Sequence, residues 1–157
     1  MLPLRAVCVL LVVGLGVALS SAEEACPDEG GSCKRHIYKQ PLGSDAEVSF
    51  EQLKQMLASG NVQLFDVREP SEFEEGAIPG AINIPLSEVE QSFTLTPDQF
   101  KELYGASVPG KNDPDFIVYC QRGRRSLTAL EILYGLGYNR ARHYAGGYGE
   151  WEKLDAQ

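Results

Sequence analysis

The stretch from Phe116 to Gly137 restricts the fold of this chain more than any other part of it. Phe116-Ile117-Val118-Tyr119 is apolar without interruption, the pattern of a short strand buried on both faces, and such strands belong to parallel sheets covered by helices. From Tyr119 the chain passes through Cys120-Gln121-Arg122-Gly123-Arg124-Arg125 into a helix expected from about Ser126 to Leu136, which Gly137 stops. This succession of buried strand, charged loop and helix puts a thiol and three guanidinium groups at the carboxyl end of a strand, where open α/β sheets take their ligands.

The remaining elements fit the same class. Ser49 with Gln52 forms a capping box, and Phe50, Leu53, Met56 and Leu57 repeat at helical spacing until Gly60. Residues 62–67 read as a buried strand that ends at Asp66 and Arg68. Ser71 with Glu74 is expected to cap a brief helical turn, residues 81–84 to form another strand, and Ser87 with Glu90 to open a helix. Thr96-Pro97-Asp98-Gln99 starts the next helix, with proline at its first position. Residues 105–115 hold two glycines and two prolines and read as a loop. Residues 141–144 supply a last strand, Gly146-Gly147 a turn, and residues 148–154 a final helix with Trp151 in the core. Strands separated by helices imply one α/β domain with a central, mainly parallel sheet of about five strands and helices on both faces.

Length and charge narrow the function. The 157 residues suffice for one domain, and 14 basic against 22 acidic residues disfavour general nucleic-acid binding. Residues 1–22 have the layout of a signal peptide: Arg5, an apolar stretch over 6–19, then Ser20-Ser21-Ala22 ahead of Glu23-Glu24. That stretch is short for a bilayer core of about 30 Å, so the expectation is cleavage, delivery to the secretory pathway and no membrane attachment afterwards. Residues 23–46 read as a polar tail and 47–155 as the folded domain. Loss of Cys8 with the leader leaves Cys26, Cys33 and Cys120; the near pair could close a disulfide or remain two exposed thiols, and Cys120 is the odd one. No second Cys/His pair stands at ligand spacing, so no metal is expected.

Cys120 is the candidate nucleophile. Unpaired amides at a helix N-terminus, together with the positive end of the helix, favour thiolate over thiol without an adjacent base. Gly123 lets the loop curl so that its amides face inward, Arg125 can present a planar fork to an oxyanion, and Arg122 and Arg124 add charge at the rim. Gln121 and Ser126 complete the expected substrate-binding loop, with Asp66 and Arg68 as a supporting ion pair. His143, on the last strand, can be pictured as a general base, but a histidine there is more often merely packed.

Together with Asp66-Val67-Arg68, the run from Glu75 through Gly76-Ala77-Ile78-Pro79-Gly80-Ala81 to Pro85, Gly146-Gly147 and Trp151, the Cys120 loop resembles the rhodanese domain over roughly residues 46–154. It is most similar to the small thiosulfate:glutathione sulfurtransferase branch, whose loop also begins Cys-Gln. The resemblance implies that Cys120 takes sulfane sulfur from thiosulfate as a persulfide and passes it to glutathione, cyanide or another thiol. The implied partners are a small anionic sulfur donor and a thiol acceptor, with no organic cofactor; related single-domain rhodaneses usually work in the cytoplasm or mitochondria, so the resemblance implies a cytoplasmic location as the alternative to the secretory layout here.

Two other classes share these features. A noncatalytic or redox-sensing module would use the same thiol as an oxidation sensor. Cysteine phosphatases and arsenate reductases also cradle an anion between strand and helix, but resemble a Cys-x5-Arg pattern, whereas four residues separate Cys120 from Arg125 and position 126 is serine.

Overall fold

The structure, a computed structural model, describes residues 44–156. The expected leader, most of the expected tail and the Cys26/Cys33 pair lie outside the described residues. Five strands, β1 (Glu47–Val48), β2 (Gln63–Asp66), β3 (Ile82–Asn83), β4 (Phe116–Tyr119) and β5 (Arg142–Tyr144), form one sheet in the order β1-β5-β4-β2-β3. Every pairing is parallel. The helices are α1 (Phe50–Ser59), α2 (Pro70–Glu75), α3 (Val89–Ser92), α4 (Pro97–Tyr104), α5 (Arg124–Gly135) and α6 (Gly147–Asp155), with short 3-10 turns at Ser44–Ala46 and Leu86–Glu88.

Where helix starts were read from reciprocal caps, α1 and α4 follow the reading. The Ser49 amide donates to Gln52 Oε1 at 2.9 Å, and the Thr96 amide donates to Gln99 Oε1 at 3.1 Å. Three other starts differ. The α2 cap is Glu69 rather than Ser71, with Pro70 at the first helical position and the Glu69 amide donating to Glu72 Oε2, because proline sets the helical φ there and needs no acceptor. Ser87 caps nothing; residues 86–92 make a 3-10 turn and a single α turn, held by burial of Val89 and Ser92. α5 begins at Arg124 instead of Ser126, so the free loop after β4 is only four residues long.

The chain is also ordered earlier than expected. Ser44–Ala46 form a turn with Ala46 in the core, and Glu47–Val48 add an edge strand to β5, a two-residue element too short to show any alternation in sequence.

The pleat divides the core in two. Leu64, Ile117, Tyr119 and Tyr144 pack with Leu53 of α1 and Trp151 of α6 on one face. Phe65, Phe116, Val118 and Cys120 pack with Val89 of α3, Phe100 of α4 and Ala129, Leu130 and Leu133 of α5 on the other. Phe65 lies edge-on to three rings, with centroids 5.5 Å from Phe93, 6.2 Å from Phe100 and 5.4 Å from Phe116. Such pairs add to area burial because the positive ring edge meets the negative face. Phe65→Ala leaves a cavity that a strand held on both sides cannot collapse, and a loss of about 3–5 kcal/mol is expected; urea denaturation of the two proteins checks it, and a loss below about 1 kcal/mol would refute this account of the core.

Candidate active site

The carboxyl ends of three adjacent strands build the site. Asp66 pairs in register with Tyr119, and Tyr119 with Tyr144, so the segments leaving β2, β4 and β5 emerge side by side. They carry Arg68, Cys120 and the Gly146-Gly147 turn respectively.

After β2 the backbone turns so that Asp66 faces Arg68 two residues on. The Asp66 carboxylate accepts from the Arg68 amide (2.9 Å), from Nε (2.9 and 3.1 Å) and from Nη2 (2.7 Å). Both side chains are buried, at 0% and 2% exposure. The rest of the guanidinium is used as well: Nη2 donates to the Gly76 carbonyl at 2.6 Å and Nη1 to Gln121 Oε1 at 3.1 Å, while its carbon sits 4.4 Å from the Tyr148 ring centroid. The expected ion pair is present, and Arg68 goes further by tying α2 and α6 to the Cys120 loop. Tyr119 lies below it, its hydroxyl accepting from the Ile78 amide at 3.1 Å; burial and the Asp66 carboxylate push this phenol up, so it stays protonated.

The Cys120 loop is clamped from the β5 side. The Tyr148 amide donates to the Cys120 carbonyl at 2.8 Å and the Gly149 amide to the Gln121 carbonyl at 3.2 Å. Two glycines permit this approach. Gly123 has φ 76°, and a Cβ there would strike the Ala145 carbonyl; Gly147 has φ 66°, and a Cβ there would strike the Cys120 carbonyl. The α5 ladder starts with Leu127, whose amide donates to the Gly123 carbonyl. Among the described residues none accepts a hydrogen bond from the amides of positions 122–126, which leaves the N-terminus of α5 open to an anion.

Cys120 itself is a free thiol, 1% exposed, on the α5 face of the sheet. Its sulfur lies 3.7 Å from Ser126 Oγ, which in turn lies 3.2 Å from His143 Nδ1. His143 is opposite Val118 in the β4/β5 register, two residues before Cys120, so both side chains point to the same helix. Burial pushes the His143 ring down, opposed by Glu47, and it is held neutral.

The loop residues therefore divide. Arg122 and Arg124 are exposed, as a rim requires, while Gln121 turns to Arg68 and Ser126 turns inward, away from solvent. Arg125 has its fork on a carboxylate already: Nη1 and Nη2 donate to Glu72 Oε2 and Oε1 at 2.5 and 2.8 Å, with each side chain about one-third exposed. Sequence reading missed Glu72, 53 positions away, because nothing local marks it. His143, read as more often merely packed, is buried, and its neighbours appear only once the register is known. Beside the loop, Gln121, Arg122, Gly149, Glu150, Glu152 and Lys153 line an open cavity of about 540 Å³.

The chain belongs to the rhodanese-like domain family, whose pattern it matches over residues 49–154, a span that takes in strands β2 to β5 and leaves out β1. It is 46% identical over 104 residues to the human thiosulfate:glutathione sulfurtransferase, covering 66% of this chain and 90% of that one. A mouse protein, thiosulfate sulfurtransferase/rhodanese-like domain-containing protein 3, is 40% identical over 149 residues and covers 90% of each chain. Among solved structures, a human single-domain sulfurtransferase superposes with a TM-score of 0.66 at 44% identity, over 69% of this chain and 96% of that chain.

The Glu72–Arg125 clasp has a pH signature. The hydrogen bonds from Arg125 hold the Glu72 carboxyl down from 4.5 to about 2. A carboxyl depressed on folding contributes stability that is complete above its unfolded value and disappears as pH falls through the folded one. Between pH 5 and 2 the urea midpoint of the wild type should therefore fall more steeply than that of Glu72→Gln; parallel curves would count against the clasp.

Proposed function

We propose that the chain moves sulfane sulfur from thiosulfate to a thiol acceptor, glutathione in the first place, through a persulfide on Cys120. The observation that carries this reading is the position of Cys120: at the end of β4, beneath the open N-terminus of α5, in a loop whose backbone conformation two glycines make possible. The names of the human and mouse relatives supply the donor and acceptor.

In the first half-reaction the Cys120 thiolate attacks the outer sulfur of thiosulfate. A new sulfur–sulfur bond forms, the bond within thiosulfate breaks, and sulfite leaves with its electron pair. The free amides of 122–126 stabilise charge on the bound sulfur, and Arg122 and Arg124 at the rim draw in the dianion. Arg125 contributes as Glu72 releases part of its fork. Because Cys120 is buried, the donor enters end-on with its outer sulfur leading, and the bulkier sulfonate stays at the mouth. In the second half-reaction the acceptor thiolate attacks the outer persulfide sulfur and Cys120 leaves as thiolate. The cavity beside Gln121 suits this partner, since Arg122 and Lys153 together with Glu150 and Glu152 offer both signs of charge to a zwitterionic tripeptide. Asp66 and Arg68 act by bracing the loop.

The leader-like residues 1–22 support delivery to the secretory pathway, where this exchange would take place; N-terminal sequencing of the mature protein tests that part.

Transfer of label from outer-sulfur-labelled thiosulfate to glutathione is the decisive assay. Cys120→Ser should abolish label on the protein and lower turnover by about a thousandfold or more, since a hydroxyl cannot replace the thiolate. Retention of label by that variant would defeat the proposal.

A further inference from the structure

Ser126 has one proton and three neighbours. Its Oγ lies 3.0 Å from the Gly123 carbonyl, 3.2 Å from His143 Nδ1 and 3.7 Å from Cys120 Sγ. The Gly123 carbonyl can only accept, so when the hydroxyl proton points there, Nδ1 and Sγ must both be donors. That state corresponds to a Cys120 thiol and a neutral His143 with its proton on Nδ1. Once Cys120 loses its proton, the sulfur needs a donor, and the Ser126 hydroxyl can rotate to it. The Gly123 carbonyl is not stranded by this rotation, because it also accepts from the Leu127 amide at 3.1 Å. His143 Nδ1 donates in both states.

The far side of the ring fits the same assignment. His143 is 3% exposed, and Nε2 is buried with no hydrogen-bond partner among the described residues. Its nearest carboxylate, Glu47 Oε1, is 4.0 Å away, beyond hydrogen-bonding distance. With the proton on Nδ1, Nε2 exposes only a lone pair to the interior; the other tautomer would bury an unpaired N–H, the rarer and costlier defect.

We propose that Ser126 and His143 are positioning residues for Cys120: the imidazole holds the Ser126 hydroxyl as a two-position donor that points to the Gly123 carbonyl beside the thiol and to the sulfur once it is ionised. The thiol proton leaves to solvent and the histidine is neutral throughout, so no proton is stored on the ring. A histidine set aside as packing thus supports the nucleophile from behind. The other charged groups around this network are Arg125 with Glu72, the Asp66–Arg68 pair and Glu47. All of them are retained in the variants below. For its bearing on catalysis the inference rests on the sulfurtransferase reading, but its test needs no sulfur donor.

The test is alkylation of the reduced full chain by iodoacetamide across pH 5 to 10, with the Cys120 peptide followed by mass spectrometry. The midpoint of that profile reports ionisation and, unlike the rate, does not move with access. For Ser126→Ala it should rise by about one pH unit, the size expected for losing one hydrogen bond to a charged group. Ser126→Thr, which keeps the hydroxyl, should restore it. His143→Asn, whose amide nitrogen falls near the Nδ1 position, should stay close to wild type, whereas His143→Gln should shift upward. An unchanged midpoint in Ser126→Ala overturns the proposal. Should the histidine variants fail to fold, the nitrogen-15 spectrum of the wild-type imidazole decides: a proton on Nδ1 supports the arrangement and a proton on Nε2 refutes it. Failure of the wild type to take up sulfur from thiosulfate would count against the proposed function and leave these outcomes intact.

Discussion

The buried Asp66–Arg68 pair is the interaction on which the rest of the site depends. A buried charge is tolerated only when its hydrogen-bonding capacity is filled, and here the guanidinium is satisfied by Asp66, the Gly76 carbonyl, Gln121 and the face of Tyr148. Each partner comes from a different segment: β2, the end of α2, the Cys120 loop and α6. The requirement to satisfy one cation therefore fixes how these four pieces meet. Removing either charge would strand the other in the interior, so the pair specifies arrangement more than it adds net stability.

Backbone geometry then completes what this pair begins. The sheet order places β4 between β2 and β5, so the Cys120 loop is flanked by the turn after each neighbour. The Gly147 conformation brings the Tyr148 and Gly149 amides onto the carbonyls of Cys120 and Gln121, while the amides of the α5 N-terminus have no acceptor among the described residues. In the proposed sulfur transfer, these main-chain groups would carry most of the charge recognition, with Arg122 and Arg124 as additions at the rim.

Much of this was legible in the sequence, for local reasons. The uninterrupted run Phe116–Tyr119, the capping boxes at Ser49 and Thr96 and the strand-end position of Asp66 and Arg68 are written within a few residues of one another, and the structure repeats them. Ser71 and Ser87 failed as caps because Pro70 and the burial of Val89 outweigh a side-chain oxygen. Edge strand β1 was invisible because two residues carry no period. The pairing of Arg125 with Glu72 and the line from Cys120 to Ser126 and His143 depend on strand register and on α5 beginning two residues early, and neither is encoded in any short window. Ser126, read as part of a substrate-facing loop, turns inward for the same reason.

The clasp between Glu72 and Arg125 gives the mouth of the site a resident competitor. A carboxylate held in place on α2 sits at an effective concentration that a free ligand in solution seldom reaches. A visiting anion would gain the guanidinium only by displacing Glu72, which would favour doubly charged, compact anions over singly charged carboxylates. Selectivity of that kind needs no shaped pocket; it follows from having the arginine already engaged.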